Sequence, residues 1–328
     1  MSHNGDTFES ALKMLGCNVK YVSEAISPQL ATYYYDYENI SQYTKARLQS
    51  VVDKMSIYYH KKLTIVYDEN AHFGISMPNR QVSPLWLTNL EQPHDFHSIN
   101  IGKDLGNRDV ILDFDKIPHL LIAGTTGSGK SILLKAIMFA LYDSVRYDNF
   151  DLVIIDPKRT EFSMFREIGN VDYVDETTDA IAIVEDLVNE MEYRYSEMAK
   201  GNYNFKHKFV VIDEVADLML SSRYEVEESI VRLAQKSRAA KIHLIVATQR
   251  PTVNVITGTI KVNMPNRICL KMASGVDSRT MLDTKGAEEL LGRGDAILVL
   301  DGTTTRTRFQ CAMISDSNLK NALGIGGN

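Results

Sequence analysis

A chain of 328 residues with 44% hydrophobic and 24% charged content has ample material to bury one large or two medium cores, which points to a soluble globular protein. Its formal charge of −6 excludes a protein that coats nucleic acid with its whole surface, while leaving room for a local basic patch. The longest apolar runs last four to six residues, far short of the roughly 20 needed to cross a bilayer. The first residues lack a basic region followed by an apolar stretch, so neither a direct membrane span nor a signal peptide is expected. Cys17, Cys269 and Cys311 are odd in number and far apart, fitting neither a disulfide framework nor a zinc knuckle, and a cytoplasmic setting follows.

Residues 1–45 are polar and Tyr-rich, with Tyr33, Tyr34, Tyr35 and Tyr37 close together, and read as a lead-in, flexible or helical. Residues 46–98 read as a small α+β subdomain: a helical pattern over Ala46–Tyr59, then β-like alternation in Leu63–Tyr67 and Phe73–Met77. Residues 99–328 form the main domain. After Pro118, apolar strands at His119–Ala123, Asp151–Asp156, Lys208–Asp213, Ile242–Ala247, Arg267–Met272 and Ala296–Leu300 are separated by helix-length segments. That rhythm predicts an α/β fold, a mainly parallel sheet covered by helices on both faces.

The first of these strands runs into Gly124-Thr125-Thr126-Gly127-Ser128-Gly129-Lys130-Ser131, and a helix is predicted from there to about Tyr142. The segment fits G-x-x-x-x-G-K-[ST]. Its glycines let the backbone turn tightly, so that N–H groups and the following helix N-terminus face phosphate oxygens. Lys130 suits the β and γ phosphates of ATP, and the Ser131 hydroxyl suits Mg²⁺. Phe209–Ile212 is an apolar strand that delivers Asp213 and Glu214 at its C-terminal end, where open parallel sheets bind ligands. Asp213 suits the hold on Mg²⁺, and Glu214 suits activation of the attacking water. Gln249 ends the strand through Ile245, where its amide can report the γ-phosphate or simply cap the strand. Asp156-Pro157-Lys158 ends the strand after the glycine-rich loop's helix, and a plain β-to-loop exit fits it as well as a role at the site. Between residues 236 and 293, ten basic residues stand against four acidic ones, which reads as a local patch for a polyanion or as a solvated face with ion pairs.

With these residues in place, the chain resembles the FtsK/SpoIIIE DNA translocases of the wider FtsK–HerA group. The resemblance is carried by His119–Ser131, Ile155–Lys158, Val211–Met219, Ala234–Ala240, Ala247–Pro251, Val255–Gly258, Asp277–Thr280 and Gly286–Gly292, in that order. It implies a RecA-like P-loop ATPase motor in residues 99–328, duplex DNA as the partner, and a homohexameric ring with ATP at subunit interfaces. Carried over by position, Arg238 would be the finger that reaches a neighbour's γ-phosphate. Lys261, Arg267 and Arg279, with Arg250 behind them, are candidates for loops that grip DNA phosphates without regard to sequence. Lys241 stands where the family more often has Gly. Neither the family's membrane anchor nor its winged-helix reader is expected here. A ring-shaped motor pumping double-stranded DNA for a plasmid, phage or conjugative element, recruited by an element-encoded adaptor, is therefore the leading expectation. A single-module protein-secretion ATPase of the same fold and an ATP-switched DNA-binding replication or packaging factor are the alternatives.

Overall fold

The computed structural model describes residues 3–37, 45–67, 72–79, 83–95, 97–145, 150–159, 161–169, 171–303 and 306–324. The chain divides into two compact units. One comprises Met1–Pro84 with Lys103–Arg108, and the other comprises Leu85–Gly102 with Asp109–Asn328.

The smaller unit contains α1 (His3–Met14), β1 (Val19–Ile26), β2 (Leu30–Tyr37), α2 (Lys45–Tyr58), β3 (Thr64–Tyr67) and β4 (Phe73–Pro78). Its sheet runs β1-β2-β4-β3, each neighbouring pair antiparallel. Residues 3–37, expected as a lead-in separate from the α+β unit, thus supply one helix and two strands to it. The tyrosines explain the difference: Tyr33 and Tyr35 alternate inward along β2 and are buried with Phe8, Leu12, Val52 and Phe73 in one apolar core. Residues 38–44 of the expected lead-in lie outside the described residues.

The larger unit is built on a ten-stranded sheet. Its elements are β5 (Ser98–Asp104), β6 (Asp109–Asp113), β7 (His119–Ala123), α3 (Lys130–Val145), β8 (Phe150–Ile155), β9 (Val171–Val174), α4 (Thr177–Met198), β10 (His207–Ile212), α5 (Val215–Ser221), α6 (Arg223–Lys236), β11 (Ile242–Thr248), α7 (Gly258–Asn263), β12 (Arg267–Leu270), α8 (Gly275–Leu282), β13 (Asp295–Val299), β14 (Arg306–Cys311) and α9 (Asp316–Leu323). The order across the sheet is β6-β5-β14-β13-β12-β7-β11-β10-β8-β9. From β12 to β9 every neighbouring pair is parallel, and β13 adds to β12, and β14 to β13, antiparallel.

The parallel strands read as continuous apolar runs because both of their faces are covered. Leu120, Ile122, Phe209 and Val211 point into one core, against Leu133, Ile137 and Leu141 of α3. Leu121, Ala123, Val210 and Ile212 point into the other, against Val184, Leu187 and Met191 of α4 and Ile230 and Leu233 of α6. In α4 the buried positions Ala180, Val184, Leu187, Val188 and Met191 follow the helical repeat, so one stripe packs on the sheet while the opposite face meets water. All these strands end at the same edge, and that edge carries the glycine-rich loop and the paired acids.

Candidate active site

The glycine-rich loop leaves β7 at Gly124 and enters α3 at Lys130. Two other strand ends hold it in shape. The Gly124 N–H donates to the Thr248 carbonyl at 3.2 Å, at the end of β11. The Thr125 N–H and hydroxyl both donate to the Lys271 carbonyl at 3.0 Å, just past β12. From beneath, the Gly294 N–H donates to the Ser128 carbonyl at 2.7 Å. Gly129, with φ +103°, lies so close to this turn that a Cβ would stand 2.6 Å from the Gly294 nitrogen, so no other residue fits there. Gly127, with φ +77°, faces open space instead, leaving the outer side of the loop clear for a ligand.

Lys130, Asp213 and Glu214 are exposed by only 3%, 1% and 1%. The Lys130 Nζ donates to Asp213 Oδ1 at 2.6 Å and to the Asp213 carbonyl at 2.7 Å. Charges this deep persist only when paired and hydrogen-bonded, and this pairing is direct. The Glu214 carboxylate accepts from Thr248 Oγ1 at 2.5 Å, from the Gln249 N–H at 3.1 and 3.3 Å, and from Lys158 Nζ at 2.9 Å. Burial raises the Glu214 pKa, but these donors outweigh it and hold the acid below its ordinary value. The Gln249 amide oxygen accepts from Thr126 Oγ1 at 3.1 Å, so one residue touches the glycine-rich loop with its side chain and Glu214 with its backbone.

A nucleoside triphosphate with Mg²⁺ fits the residues present. Ser128 Oγ is buried in the loop without a hydrogen-bond partner, and the Gly127 side is open. Ser131, the second residue of α3 and half-buried, and Asp213 offer the oxygen ligands that Mg²⁺ prefers.

Sequence and structure thus agree in bringing Lys130, Ser131, Asp213, Glu214 and Gln249 to one edge. Sequence reading left Lys158 undecided and missed Thr248, Lys271 and Gly294. The sequence signal for Lys158 is its place just past the C-terminal end of an apolar strand, in Asp156-Pro157-Lys158; that this strand pairs with the one carrying Glu214 is seen only in the fold.

Arg238 lies elsewhere. It follows α6, ahead of β11, at the N-terminal ends of the strands, roughly 20 Å from the glycine-rich edge for a six-residue strand. Its side chain is exposed, donates to the Asp115 carbonyl at 2.7 Å, and lines a cavity of about 670 Å³ with Tyr195, His207, Lys236 and Lys241. Lys241 has φ +56°, the left-handed region that favours glycine, which accounts for the residue type more frequent there. Of the candidate DNA contacts, Lys261 and Arg267 are knitted together by Asp283, at 2.6 and 2.9 Å, and Arg267 also donates to the Met281 carbonyl at 2.8 Å. Arg250 and Arg279 are exposed.

Fold and site together define a RecA-like P-loop ATPase domain. The sequence profile of the FtsK/SpoIIIE family matches residues 85–205 and 205–253, and the chain belongs to that family. It is 39% identical over 277 residues to a DNA translocase FtsK of Clostridium tetani, covering 77% of this chain and 37% of the relative. It is 35% identical over 336 residues to a DNA translocase FtsK of Caldanaerobacter subterraneus subsp. tengcongensis, covering 95% and 47%. The chain therefore spans less than half the length of either relative. In fold it is similar to a solved structure of the pCW3 conjugation coupling protein TcpA, in a monomer form with ATPγS, with a TM-score of 0.69, 22% identity and 98% of each chain covered. No helix among the described residues is long and apolar enough to cross a membrane.

Proposed function

We propose that this chain is the motor of a DNA translocase, hydrolysing ATP to move double-stranded DNA. The observation that carries the reading is the edge where Lys130, Asp213 and Glu214 lie buried and hydrogen-bonded beside the glycine-rich loop, in a chain of a family whose relatives are named DNA translocases. Residues 124–131 hold the triphosphate, with Lys130 set against its developing negative charge. Ser131 and Asp213 hold Mg²⁺, which supplies charge neutralisation at the phosphates when bound. Glu214 takes a proton from the water that attacks the γ-phosphorus as the bond to ADP breaks, and Gln249 ties Glu214 to the loop beneath the phosphates. Arg238 faces away from this edge and serves a neighbouring copy's site, so the working form is a ring of copies, a homohexamer on the family pattern. Arg250 and Arg279 contact DNA phosphates, and an adaptor recruits the motor in the cytoplasm. In this division of the chain, the unit of residues 85–102 and 109–328 is the motor, in place of the expected 99–328, and the unit of residues 1–84 and 103–108 is a small α+β unit.

The test is ATP turnover of the wild type and of Lys130→Ala without DNA, with single-stranded DNA and with linear duplex, at low and high salt. Strong duplex stimulation that weakens with salt and vanishes in Lys130→Ala is expected. Turnover indifferent to DNA would reject the reading and favour a protein substrate.

A further inference from the structure

The exit of β8 is built more firmly than a β-to-loop turn requires. Asp156 is fully buried, and its carboxylate accepts from the Arg159 N–H at 3.1 Å, the Phe162 N–H at 3.2 Å and the Tyr173 hydroxyl at 2.9 Å. These donors brace the turn on which Lys158 sits, including Arg159 in the left-handed region at φ +57°. Lys158 then reaches across to the next strand and meets Glu214 Oε2 at 2.9 Å. The remaining donors to that carboxylate, Thr248 Oγ1 and the Gln249 N–H, both belong to the end of β11, on the opposite side. Glu214 is therefore gripped from two strands, and among the described residues Lys158 supplies the grip from the end of β8. Lys130 does not compete for it, because its ammonium is turned to Asp213. The Lys158 side chain is 34% exposed, so it stands at the mouth of the site while the carboxylate it holds is buried.

We propose that Lys158 is a positioning residue for ATP hydrolysis: braced by Asp156, its ammonium fixes the Glu214 carboxylate in the orientation from which it meets the attacking water. Without Lys158 the carboxylate pivots on Thr248 and Gln249, and a displacement of about 1 Å at a reacting group costs on the order of 10²-fold in rate. The inference rests on the reading of Glu214 as the base.

The experiment measures steady-state ATP turnover with duplex DNA, the Kd of a fluorescent ATP analogue, and thermal melting. Lys158→Met, which keeps an unbranched stem of nearly the same length and removes the ammonium, is expected to lower kcat on the order of 10²-fold and leave the analogue's Kd within about twofold. Lys158→Arg is expected to recover most of kcat. In a Glu214→Gln background, Lys158→Met is expected to add almost nothing, because the group it orients has lost its function. If Lys158→Met does not fold, Lys158→Ala is read in its place. Wild-type kcat in the Lys158 variant would overturn the proposal. So would a weakening of analogue binding that matches the loss of rate, since Lys158 would then be a phosphate ligand. An undiminished loss in the Glu214→Gln background would overturn it too. Full turnover in Glu214→Gln alone would instead sink the reading of Glu214, a result distinguishable from a failure of Lys158.

Discussion

The two ends of the parallel strands handle charge in opposite ways. At the C-terminal ends, Lys130, Asp213 and Glu214 are withdrawn from water and satisfied by one another, by Lys158 and by the tip of β11. At the N-terminal ends, the cations stay near the surface: Arg238, Lys236 and Lys241 ring an open cavity and meet carbonyls or an exposed acid. A buried set of mutually oriented charges can hold and activate a nucleotide within one chain, because the geometry is fixed before the ligand arrives. A cation kept at the surface suits a ligand supplied from outside, and a neighbouring copy's nucleotide is the ligand proposed for Arg238.

The contrast breaks most visibly at the buried end. Lys130→Ala is expected to lower turnover on the order of 10³-fold and, by stranding the buried Asp213 carboxylate, to cost about 3–5 kcal/mol of stability in urea unfolding. At the exposed end, Arg238→Ala is expected to lower turnover on a similar order while leaving the unfolding midpoint unchanged, since an exposed side chain contributes little. Mixing Arg238→Ala with Lys130→Ala subunits should then recover part of the activity, because some junctions regain an intact loop and an intact finger. No recovery on mixing would return Arg238 to its own chain.

Legibility in the sequence divides along the same line. The buried end could be read because each of its parts is local: a glycine spacing between a strand and a helix that suits a phosphate loop, and an apolar strand ending in two acids. Sequence reading left Lys158 open and missed Thr248 because their meaning lies in strand order. Lys158 matters only when β8 lies beside β10, and Thr248 only when β11 lies on the other side. The place of residues 3–37 was hard to read for a related reason: β2, an eight-residue strand rich in tyrosine, carries a polar surface composition, and only its pairing with β4 shows which rings turn inward. The basic stretch after residue 236 could not be resolved by count, since Lys261 and Arg267 answer a single acid, Asp283, across 22 and 16 positions.

Acid sharpens the comparison at the N-terminal ends. Burial lowers the pKa of His119 to about 4 and that of His243 to about 3, the latter stacked on His207 with its Nε2 2.8 Å from His207 Nδ1. In the unfolded chain both rings return to about 6.5. As pH falls from 6.5 towards 4 the unfolded chain takes up protons that the folded protein refuses, so stability is present above the unfolded pKa and lost below it. At pH 5 the loss is on the order of 1–2 kcal/mol for each ring, read as a lower urea midpoint than at pH 7, and His243→Gln should remove about half of it.

The smallest effects separate the two kinds of basic residue near α8. Arg279→Ala should reduce the salt slope of duplex binding by about one and leave stability within about 0.5 kcal/mol, whereas Arg267→Ala should lower stability by about 1–3 kcal/mol with little change in the slope. The reverse pattern would place the grip on β12 rather than on α8.

The central claim, that ATP hydrolysis at the buried edge moves duplex DNA, is tested most directly by displacement of a third strand from a triplex. Wild-type protein with ATP is expected to release the third strand, and Lys130→Ala and Glu214→Gln are expected to leave it in place. Duplex-stimulated ATP turnover by the wild type without any release of the third strand would contradict the claim.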